Sequence, residues 1–388
     1  AAETLNEIPP YLAKLLDWEG LDYEGHRQPE RPSQMTNSCL VTGGAGFIGC
    51  ALSPFLAQRF DRVVAIDNLH PQVHSRAQRP PALHPQVELV VGDVADATVW
   101  DQVLEQVKPQ VIVHLAAETG TGQSLRESTL HAQTNVVGTT QMLDALVRHQ
   151  ALPKSIVFTS SRAVYGEGRW VDAAGRYVYP GMRTHAMLAA GTWDFPDLTP
   201  TAQHSGTVIP APANIYAATK LAQENLLTSW CGSFDVELVS FRLQNVYGVG
   251  QSLTNPYTGI VSMFTRWAAK GQVIPVYEDG EIIRDFVYID DVVSAILAGI
   301  DHGGTNVHPY DIGAGSQVTI AQVAQAAAAY YGAPQPQVTG QFREGDVRAA
   351  WADISTTRQA LGWEPHIDVE TGITRLCQWI DGGALAEL

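Results

Sequence analysis

Two side chains that can move a proton stand four residues apart in the segment Tyr216-Ala-Ala-Thr-Lys220. On a helix this spacing places the phenol and the ammonium on one face, with their Cβ atoms about 6 Å apart. Tyrosine, with an ordinary pKa of about 10, is a poor base at neutral pH, and a fixed cation beside it favours the phenolate. An amphipathic helix with a half-buried tyrosine and a solvated lysine would show the same spacing.

A strand that ends in hydroxyl side chains supports the catalytic interpretation. The segment 156–166 begins Ile-Val-Phe and continues Thr-Ser-Ser, the last of which is Ser161. Doubly wound sheets bind their ligands at the carboxyl ends of strands. Ser161 is a candidate to share a hydrogen bond with the substrate oxygen that Tyr216 protonates and deprotonates; a serine that caps a turn is the alternative. We predict Ser161, Tyr216 and Lys220 as catalytic residues.

The elements that must position these residues begin with a glycine-rich turn. Residues 42–49 are Thr-Gly-Gly-Ala-Gly-Phe-Ile-Gly and follow a short apolar run. The pattern is typical of a strand, a tight turn and a helix that bind a dinucleotide. Gly43 permits the turn, Gly46 lets the backbone approach a pyrophosphate, and Gly49 lets helix and strand pack closely. The exposed amides and the helix dipole then favour the phosphate charge.

The second strand indicates which dinucleotide binds. The apolar run 63–67 ends in Asp67, about twenty-four residues after Gly43. A carboxylate at this place binds a ribose 2′-hydroxyl and would repel a 2′-phosphate. We therefore expect NAD as the cofactor.

The composition is that of a globular protein with an acidic surface. Of the 388 residues, 45% are hydrophobic and 16% are charged, and 24 Lys and Arg against 40 Asp and Glu give a net charge of −16. This balance disfavours nucleic acid or an anionic membrane as a partner. We find no apolar run near the roughly 20 residues that span a bilayer and no signal pattern, so a cytoplasmic location is expected. Four scattered cysteines predict neither a disulfide framework nor a metal site.

Strand-like and helix-like runs alternate from residue 38 onward, which predicts an α/β fold with a doubly wound parallel (Rossmann) sheet. The segment 166–211 interrupts this alternation, is rich in Gly, Pro, Trp and Tyr, and is expected to be a functional loop. After about residue 250 short strands (273–277, 285–288, 306–311, 336–338) alternate with helices near 257–270, 290–300, 319–331 and 367–380. We predict an N-terminal arm (1–36), a dinucleotide-binding domain (37–250) and a mainly substrate-binding, smaller α/β lobe (251–388).

Together these motifs resemble the extended short-chain dehydrogenase/reductase family, in particular its nucleotide-sugar epimerase and dehydratase branch. The likeness runs from about residue 38 to 365 and includes Gly92-Asp93-Val94, His114-Leu-Ala-Ala117 and Asn135-Val-Val-Gly-Thr139. The resemblance implies NAD as the cofactor. The implied cofactor site is Gly43, Gly46, Phe47, Ile48, Gly49, Asp67, Asn68, Asp93, Val94, Leu115, Ala116, Ala117, Asn135, Tyr216 and Lys220.

The same resemblance implies that the substrate is a nucleotide-diphosphate sugar of the dTDP or UDP type. In the family's motifs, Arg284 and Arg343 would grip the diphosphate and Asp346 would hold the nucleoside ribose. Guanidinium groups suit a doubly charged ligand on an acidic protein, although a surface or interdomain ion pair is the alternative for each arginine. The implied substrate site is Glu118, Thr119, Ser161, Asn245, Tyr277, Arg284, Arg343 and Asp346.

Positions 162 and 163 separate two reactions of this family. The dehydratases carry Asp-Glu there, as acid and base for loss of the 6-hydroxyl, whereas this chain has Arg162 and Ala163. Elimination then lacks an evident acid or base. We expect reversible oxidation of a sugar hydroxyl, most simply at C4, followed by reduction from the opposite face with NAD held throughout.

The segments 118–124, 161–168 and 245–259 resemble a bacterial subgroup similar to dTDP-L-rhamnose 4-epimerases, although the loop 194–206 lacks the cysteines that this subgroup often carries. The leading hypothesis is an NAD-dependent nucleotide-sugar 4-epimerase with a dTDP-6-deoxyhexose as candidate substrate. A dehydrogenase or ketoreductase, a 4,6-dehydratase and a non-catalytic dinucleotide-binding scaffold are the alternatives. Helices near 95–107 and 129–148 are candidates for a homodimer interface, with ordinary core packing as the alternative.

Overall fold

The computed structural model of the protein describes residues 37–74, 76–253, 255, 259–306 and 308–384. The predicted N-terminal arm, residues 1–36, lies outside the described residues. In chain order the strands are β1 (Ser38–Thr42), β2 (Arg62–Asp67), β3 (Val87–Val91), β4 (Val111–His114), β5 (Ser155–Ser161), β6 (Trp170–Asp172), β7 (Tyr177–Val178), β8 (Leu198–Pro200), β9 (Glu237–Leu243), β10 (Asn245–Tyr247), β11 (Pro275–Val276), β12 (Ile283–Arg284), β13 (Phe286–Tyr288), β14 (Tyr310–Ile312), β15 (Val318–Thr319) and β16 (Gln337–Val338).

Helices connect most of these strands. In chain order the α-helices are α1 (Phe47–Arg59), α2 (Ala97–Leu104), α3 (Thr121–Ser124), α4 (Ser128–His131), α5 (Gly138–Arg148), α6 (His185–Ala189), α7 (Ile215–Phe234), α8 (Ile260–Ala269), α9 (Ile289–His302), α10 (Ile320–Tyr331), α11 (Ser355–Leu361) and α12 (Val369–Trp379). A π-helical turn (Ala132–Val137) joins α4 to α5, and a 3₁₀ turn (Arg162–Tyr165) follows β5. Within the described ranges, no helix has both the length and the apolar character to cross a bilayer.

Seven parallel strands form the main sheet, in the order β14-β9-β5-β4-β1-β2-β3. This confirms the predicted doubly wound α/β fold. The prediction for 306–311 was wrong in one respect: β14 pairs with β9, Tyr310 opposite Phe241, and so completes the main sheet instead of belonging to the smaller lobe. A short apolar run does not reveal which sheet it will join, because strand pairing depends on the packing of distant segments.

Helices cover the main sheet on both faces because its strands are apolar at successive positions. Ile112 and Val113 are neighbours in β4 and are both fully buried, but they belong to different core clusters. Val113 packs in the cluster that includes Leu52 of α1 and Ile296 of α9, whereas Ile112 packs in the one that includes Met142 of α5. Because all seven strands are parallel, their carboxyl ends lie at one common edge of the sheet, between the two layers of helices.

The predicted functional loop 166–211 has a regular structure of its own. β6 pairs antiparallel with β7 and with β8, and the short helix α6 lies between β7 and β8. The ring of Trp170 meets that of Phe195 edge to face, with 5.0 Å between centroids. The expectation of an irregular loop was therefore wrong, because strands of two or three residues are too short to show an alternating pattern. We call residues 166–211 the insertion.

The smaller lobe contains three two-stranded sheets, β10 with β13, β11 with β16 and β12 with β15; β10 lies before residue 250, so the lobe also draws on the end of the predicted dinucleotide-binding domain. The helices predicted near 257–270, 290–300, 319–331 and 367–380 correspond to α8, α9, α10 and α12. Phe264, Val323 and Leu376 are buried in the same core cluster, which joins this lobe to one face of the main sheet. The lobe is thereby fixed beside the carboxyl edge of the strands.

The close packing of α1 against the turn after β1 gives a test of the fold. A Cβ atom on Gly49 would overlap the backbone of Gly44. Because backbone cannot move as a side chain can, we expect Gly49→Ala to lower the free energy of unfolding by about 1–3 kcal/mol, measured by urea denaturation.

Gly232→Ala is the matched control for this substitution. Gly232 is exposed on α7, and an added Cβ would meet no atom within 4 Å. Alanine is favoured over glycine in a helix, so this variant should gain about 0.5–1 kcal/mol. Equal stability of the two variants would contradict the packing described for Gly49.

Candidate active site

A large cavity lies at the carboxyl edge of the main sheet and reaches the smaller lobe. Its volume is about 1730 Å³, and a second cavity of about 140 Å³ shares Gly43, Gly46 and Leu115 with it. Predicted site residues that line the large cavity are Gly43, Gly46, Phe47, Ile48, Gly49, Leu115, Ala117, Thr119, Ser161, Tyr216, Asn245, Tyr277, Arg284, Arg343 and Asp346. Those that line the small cavity include Asp67, Asn68, Val94, Ala116 and Glu118. Glu118, predicted for the substrate, thus lies with residues predicted for the cofactor.

Three predicted residues line neither cavity: Asp93, Asn135 and Lys220. Asp93 is exposed, and its Oδ1 accepts from the amide of Ala95 at 2.8 Å. Asn135 is fully buried; its Oδ1 accepts from the amide of Glu118 at 2.8 Å and its Nδ2 donates to the Glu118 carbonyl at 3.0 Å. Asn135 therefore fixes the backbone that lines the small cavity.

The glycine turn is held open toward both cavities. Gly43 has φ of 65° and donates its amide to the Ile66 carbonyl at 2.8 Å, while a Cβ on it would overlap the backbone of Ala116. Helix α1 begins after Gly46, which has no side chain to cap it. The first amides of α1 are therefore free to bind an anion, as a pyrophosphate requires.

Asp67 ties the second strand to this turn. Its Oδ2 accepts from the amide of Ala45 at 3.0 Å and its Oδ1 from the amide of Leu69 at 2.9 Å. Each carboxylate oxygen has a second lone pair, so both can still accept from a ribose hydroxyl in the small cavity. Together with the open amides of α1, this donor and acceptor set fits an NAD molecule.

Tyr216 and Ser161 meet at the wall of the large cavity. Tyr216 lies in the first turn of α7, which Asn214 caps by accepting from the amide of Ala217 at 2.9 Å. Ser161 ends β5 and caps the turn that follows, since its Oγ accepts from the amide of Ala163 at 3.2 Å, and its side chain is close enough to that of Tyr216 to affect the pKa of Tyr216. Burial raises the pKa of Tyr216, while Ser161 and the charge of Arg162 lower it.

Lys220 lies one turn further along α7 and points below the cavity wall. Its Nζ donates to the carbonyl of Thr159 at 2.8 Å and lies 4.8 Å from the ring centroid of Phe158. Burial lowers the pKa of Lys220 to about 7, and the carboxylate of Glu224 partly opposes this. Lys220 thus anchors α7 to β5, and the cation that lowers the pKa of Tyr216 is Arg162 and not, as the spacing predicted, Lys220.

Arg162 is a site residue whose role was not predicted. From the sequence, we noted only that it stands where the dehydratases have a carboxylate. It lines the large cavity directly after Ser161, and its Nε donates to Asn245 Oδ1 at 3.2 Å. Burial and the charge of Arg284 lower the pKa of Arg162, the charges of Asp346 and Tyr216 oppose this shift, and Arg162 stays charged. Its position after the last residue of a central strand was the signal that could have identified it.

The far end of the cavity carries the remaining polar residues. Arg284 is buried and its Nη2 lies 2.5 Å from Asp346 Oδ1, so the residue predicted for the diphosphate and the one predicted for the ribose form an ion pair. The guanidinium carbon of Arg343 lies 5.1 Å from the ring centroid of Tyr277. The residues predicted for the nucleotide thus pair with one another in one part of the cavity, which we call its nucleotide end.

Known proteins share this arrangement of sequence and fold. The signature of the NAD dependent epimerase/dehydratase family matches residues 39–313. A dTDP-L-rhamnose 4-epimerase of Burkholderia thailandensis is 54% identical over 341 residues, which are 88% of this chain and 94% of that relative. The chain belongs to this epimerase/dehydratase family. NAD is accordingly its cofactor, in agreement with the fit of the glycine turn and Asp67.

Solved structures of epimerases have the same fold. A UDP-glucose 4-epimerase of Thermotoga maritima, solved with UDP-glucose, superposes with a TM-score of 0.74 at 26% identity and covers 89% of this chain and 99% of its own. The Thermus thermophilus UDP-glucose 4-epimerase in complex with NAD gives a TM-score of 0.70 at 27% identity, with 89% and 100% covered.

The charge of Arg162 should be measurable in the titration of Tyr216. Arg162→Gln removes a cation that lowers the pKa of Tyr216, so the phenolate of Tyr216 should form at higher pH than in the unaltered protein. The measurement is the ultraviolet phenolate titration, taken as the difference between each protein and its Tyr216→Phe counterpart. Arg162→Lys keeps the charge and should titrate near the unaltered protein; identical titrations for all three would contradict the assignment.

Proposed function

We propose that the chain is an NAD-dependent nucleotide-sugar 4-epimerase that acts on a dTDP-linked 6-deoxyhexose. The observation that carries the proposal is the placement of Ser161 and Tyr216 in the same cavity as Arg284 and Asp346. The first pair can move a proton at a sugar hydroxyl, and the second pair can hold a nucleotide. The glycine turn borders the same cavity, so proton transfer, nucleotide binding and cofactor binding can all take place there.

In the proposed mechanism, the phenolate of Tyr216, a minor species at neutral pH because burial raises the pKa of Tyr216, accepts the proton of the C4 hydroxyl while Ser161 donates a hydrogen bond to the same oxygen. The amides of α1 and Asp67 would hold NAD, which when bound would supply reversible hydride transfer at C4. Arg162 stabilises the phenolate before the transfer. After the keto-sugar turns in the site, Tyr216 returns the proton to O4, and the sugar leaves with C4 inverted and no net change in oxidation.

The nucleotide part of the substrate is assigned to the far end of the cavity. Arg343 and Arg284 would share the diphosphate, and Asp346 would accept from the ribose hydroxyls. Tyr277 offers a ring face to the base. Since Arg284 is already paired with Asp346, both side chains are oriented before the nucleotide binds, which lowers the entropic cost of binding.

Similarity and the residues at 162–163 support the choice of reaction and sugar. The relative that is 54% identical is a dTDP-L-rhamnose 4-epimerase, whose sugar is a 6-deoxyhexose. Arg162 and Ala163 offer neither the acid nor the base that loss of water from C5–C6 requires. These features favour epimerisation of a sugar that already lacks its 6-hydroxyl.

We also propose that the protein is cytoplasmic and forms a homodimer. Within each chain, the dinucleotide-binding part is proposed to end and the mainly substrate-binding part to begin near residue 250. The four cysteines are unpaired, as suits a reducing compartment. Helices α2 and α5 lie side by side and are joined by Arg148 and Asp101, with 2.6 Å between Nη2 and Oδ1, so they can present one surface to a second copy. Light scattering of the purified protein measures the oligomeric state directly.

Removing the proposed base tests the mechanism. Tyr216→Phe should lower kcat by about 10²–10⁴-fold, because proton transfer loses its acceptor, while the affinity for a nucleoside diphosphate stays unchanged. Tyr177→Phe is the matched control, since Tyr177 is exposed on the insertion and should keep full activity. Full activity of Tyr216→Phe would instead favour a scaffold that only binds dinucleotide or another base.

A panel of sugar nucleotides tests the substrate. We expect proton NMR to show a dTDP-6-deoxyhexose interconverting with its C4 epimer faster than UDP-, GDP- or CDP-linked sugars, with no accumulation of NADH. Steady NADH formation would point to a dehydrogenase, and a 4-keto-6-deoxy product from a dTDP-hexose would point to a dehydratase. Either result would overturn the proposed reaction.

A further inference from the structure

We propose that the insertion (166–211) is a positioning element for the nucleotide end of the cavity, and that Arg183 is the residue through which it acts. The inference rests on the proposed function, because it concerns the part of the site assigned to the nucleotide. Arg183 itself does not line either cavity. It acts through Tyr277 and Asp346, which do.

Arg183 forms a buried, two-pronged ion pair with the smaller lobe. Its Nη1 lies 2.6 Å from Glu278 Oε2 and its Nη2 lies 2.9 Å from Oε1, and both side chains are 1% exposed. Glu278 directly follows Tyr277 and has a left-handed backbone, with φ of 53°. A non-glycine residue adopts this conformation only where its surroundings impose it. The ion pair to Arg183 is one such contact.

The same guanidinium also holds the backbone of the predicted ribose-binding residue. Arg183 Nη2 donates to the carbonyl oxygen of Asp346 at 2.9 Å, and Nη1 donates to the carbonyl of Trp193 at 3.1 Å. Asp346 in turn pairs with Arg284 through its side chain. One side chain of the insertion thus fixes the residue next to Tyr277 and the backbone of Asp346 at once.

A second set of contacts joins the insertion to the residue two positions after Asp346. Arg348 binds Asp194 of the insertion, with Nε 2.7 Å from Oδ1, and Asp279 of the lobe, with Nη1 2.7 Å from Oδ1. Its amide donates to both carboxylate oxygens of Glu167, at 2.9 and 3.1 Å. The chain is therefore fixed to the insertion at Asp346 and again two residues later at Arg348.

Ring and ion contacts cover the segment before Asp346. The ring of Phe342 lies 5.8 Å from that of His185 and 6.4 Å from that of Trp193, centroid to centroid. His185 Nδ1 lies 2.5 Å from Glu344 Oε1. Both insertion residues thus contact positions that flank Arg343, which is itself exposed.

The segment 341–346 needs this support because it has no regular structure of its own. It follows the two-residue strand β16, and Gly345 within it has φ of 77°. A short irregular segment keeps one conformation only where other parts of the protein contact it. The insertion supplies several of those contacts, beside the lobe's own bond from the Glu278 amide to the Gln341 carbonyl at 2.7 Å, so its loss should weaken nucleotide binding without changing the proton-transfer pair or the glycine turn.

The experiment removes the buried pair as a unit. Breaking only one partner leaves a buried charge and can unfold the protein, whereas replacing both with apolar residues is often neutral for stability. Arg183→Met combined with Glu278→Met removes the pair, the bonds of Arg183 to the Asp346 and Trp193 carbonyls, and the contact of Glu278 with Arg348. Arg183→Lys keeps the positive charge, but its single nitrogen cannot bind both carboxylate oxygens of Glu278 as the two guanidinium nitrogens do. Arg176→Met, which breaks an exposed pair with Asp172 in the same insertion, is the matched control.

The measurements are calorimetric affinities for dTDP and for NAD, KM and kcat for the sugar nucleotide, and the melting temperature. We expect the double variant to bind dTDP about tenfold or more weakly and to have a KM that is higher by a similar factor. Both values for Arg183→Lys should lie between those of the double variant and of the unaltered protein. NAD affinity, kcat and the Arg176→Met values should stay unchanged. Unchanged dTDP affinity in the folded double variant would overturn the proposal, as would an equal loss of NAD affinity.

The two proposals fail in different ways. If the unaltered protein binds dTDP but converts no sugar nucleotide, the proposed reaction is wrong, while the dTDP affinities of the variants still decide the role of Arg183. If the unaltered protein binds no nucleoside diphosphate, both proposals are overturned.

Discussion

The parallel pairing of β1 with β4 is the constraint on which the site depends. The strand order reverses at this pair, so the crossovers from β1 and β4 leave in opposite directions and a crevice opens between them. Thr42 Oγ1 bonds His114 Nδ1 at 2.7 Å, and the turn at Gly43 is tight enough to touch Ala116. Burial holds His114 neutral, with its pKa lowered to about 3. The crevice is therefore closed at its floor by a rigid, uncharged contact and open above it to NAD.

Charge is distributed in this molecule in two ways. The chain as a whole carries −16, yet Arg162, Arg284 and Arg343 converge on one cavity, so an anionic sugar nucleotide meets a local positive surface on an acidic protein. Below the cavity the charges are paired: Arg242 binds Glu224 with 2.7 Å between Nη2 and Oε2. Paired charges give a stable floor. Above it Arg284 is paired with Asp346, whereas Arg162 lowers the pKa of Tyr216 and Arg343 is exposed at the cavity.

The insertion links these two regions of charge. Arg183 and Glu278 form a paired, buried group like the one beneath the cavity, but they contact the segments that carry the residues proposed to bind the nucleotide. A buried ion pair adds little net stability and instead favours one arrangement over others. In this protein that arrangement is the conformation of the segment that carries Arg343 and Asp346. Affinity for the nucleotide and proton transfer at the sugar can then change independently of each other.

The sequence by itself determined the parallel fold, the glycine turn, Asp67 and the grouping of Ser161 with Tyr216, because each depends on local spacing and on the rule that parallel strands end at one edge. Only the tertiary structure decided that β14 joins the main sheet, that Arg162 reaches Asn245 across 83 positions, and that Arg183 reaches Glu278 across 95. Such contacts join segments whose spacing in the chain carries no periodic signal. They form because a buried charged group is costly unless it is paired, and the tertiary packing determines which partner lies within reach.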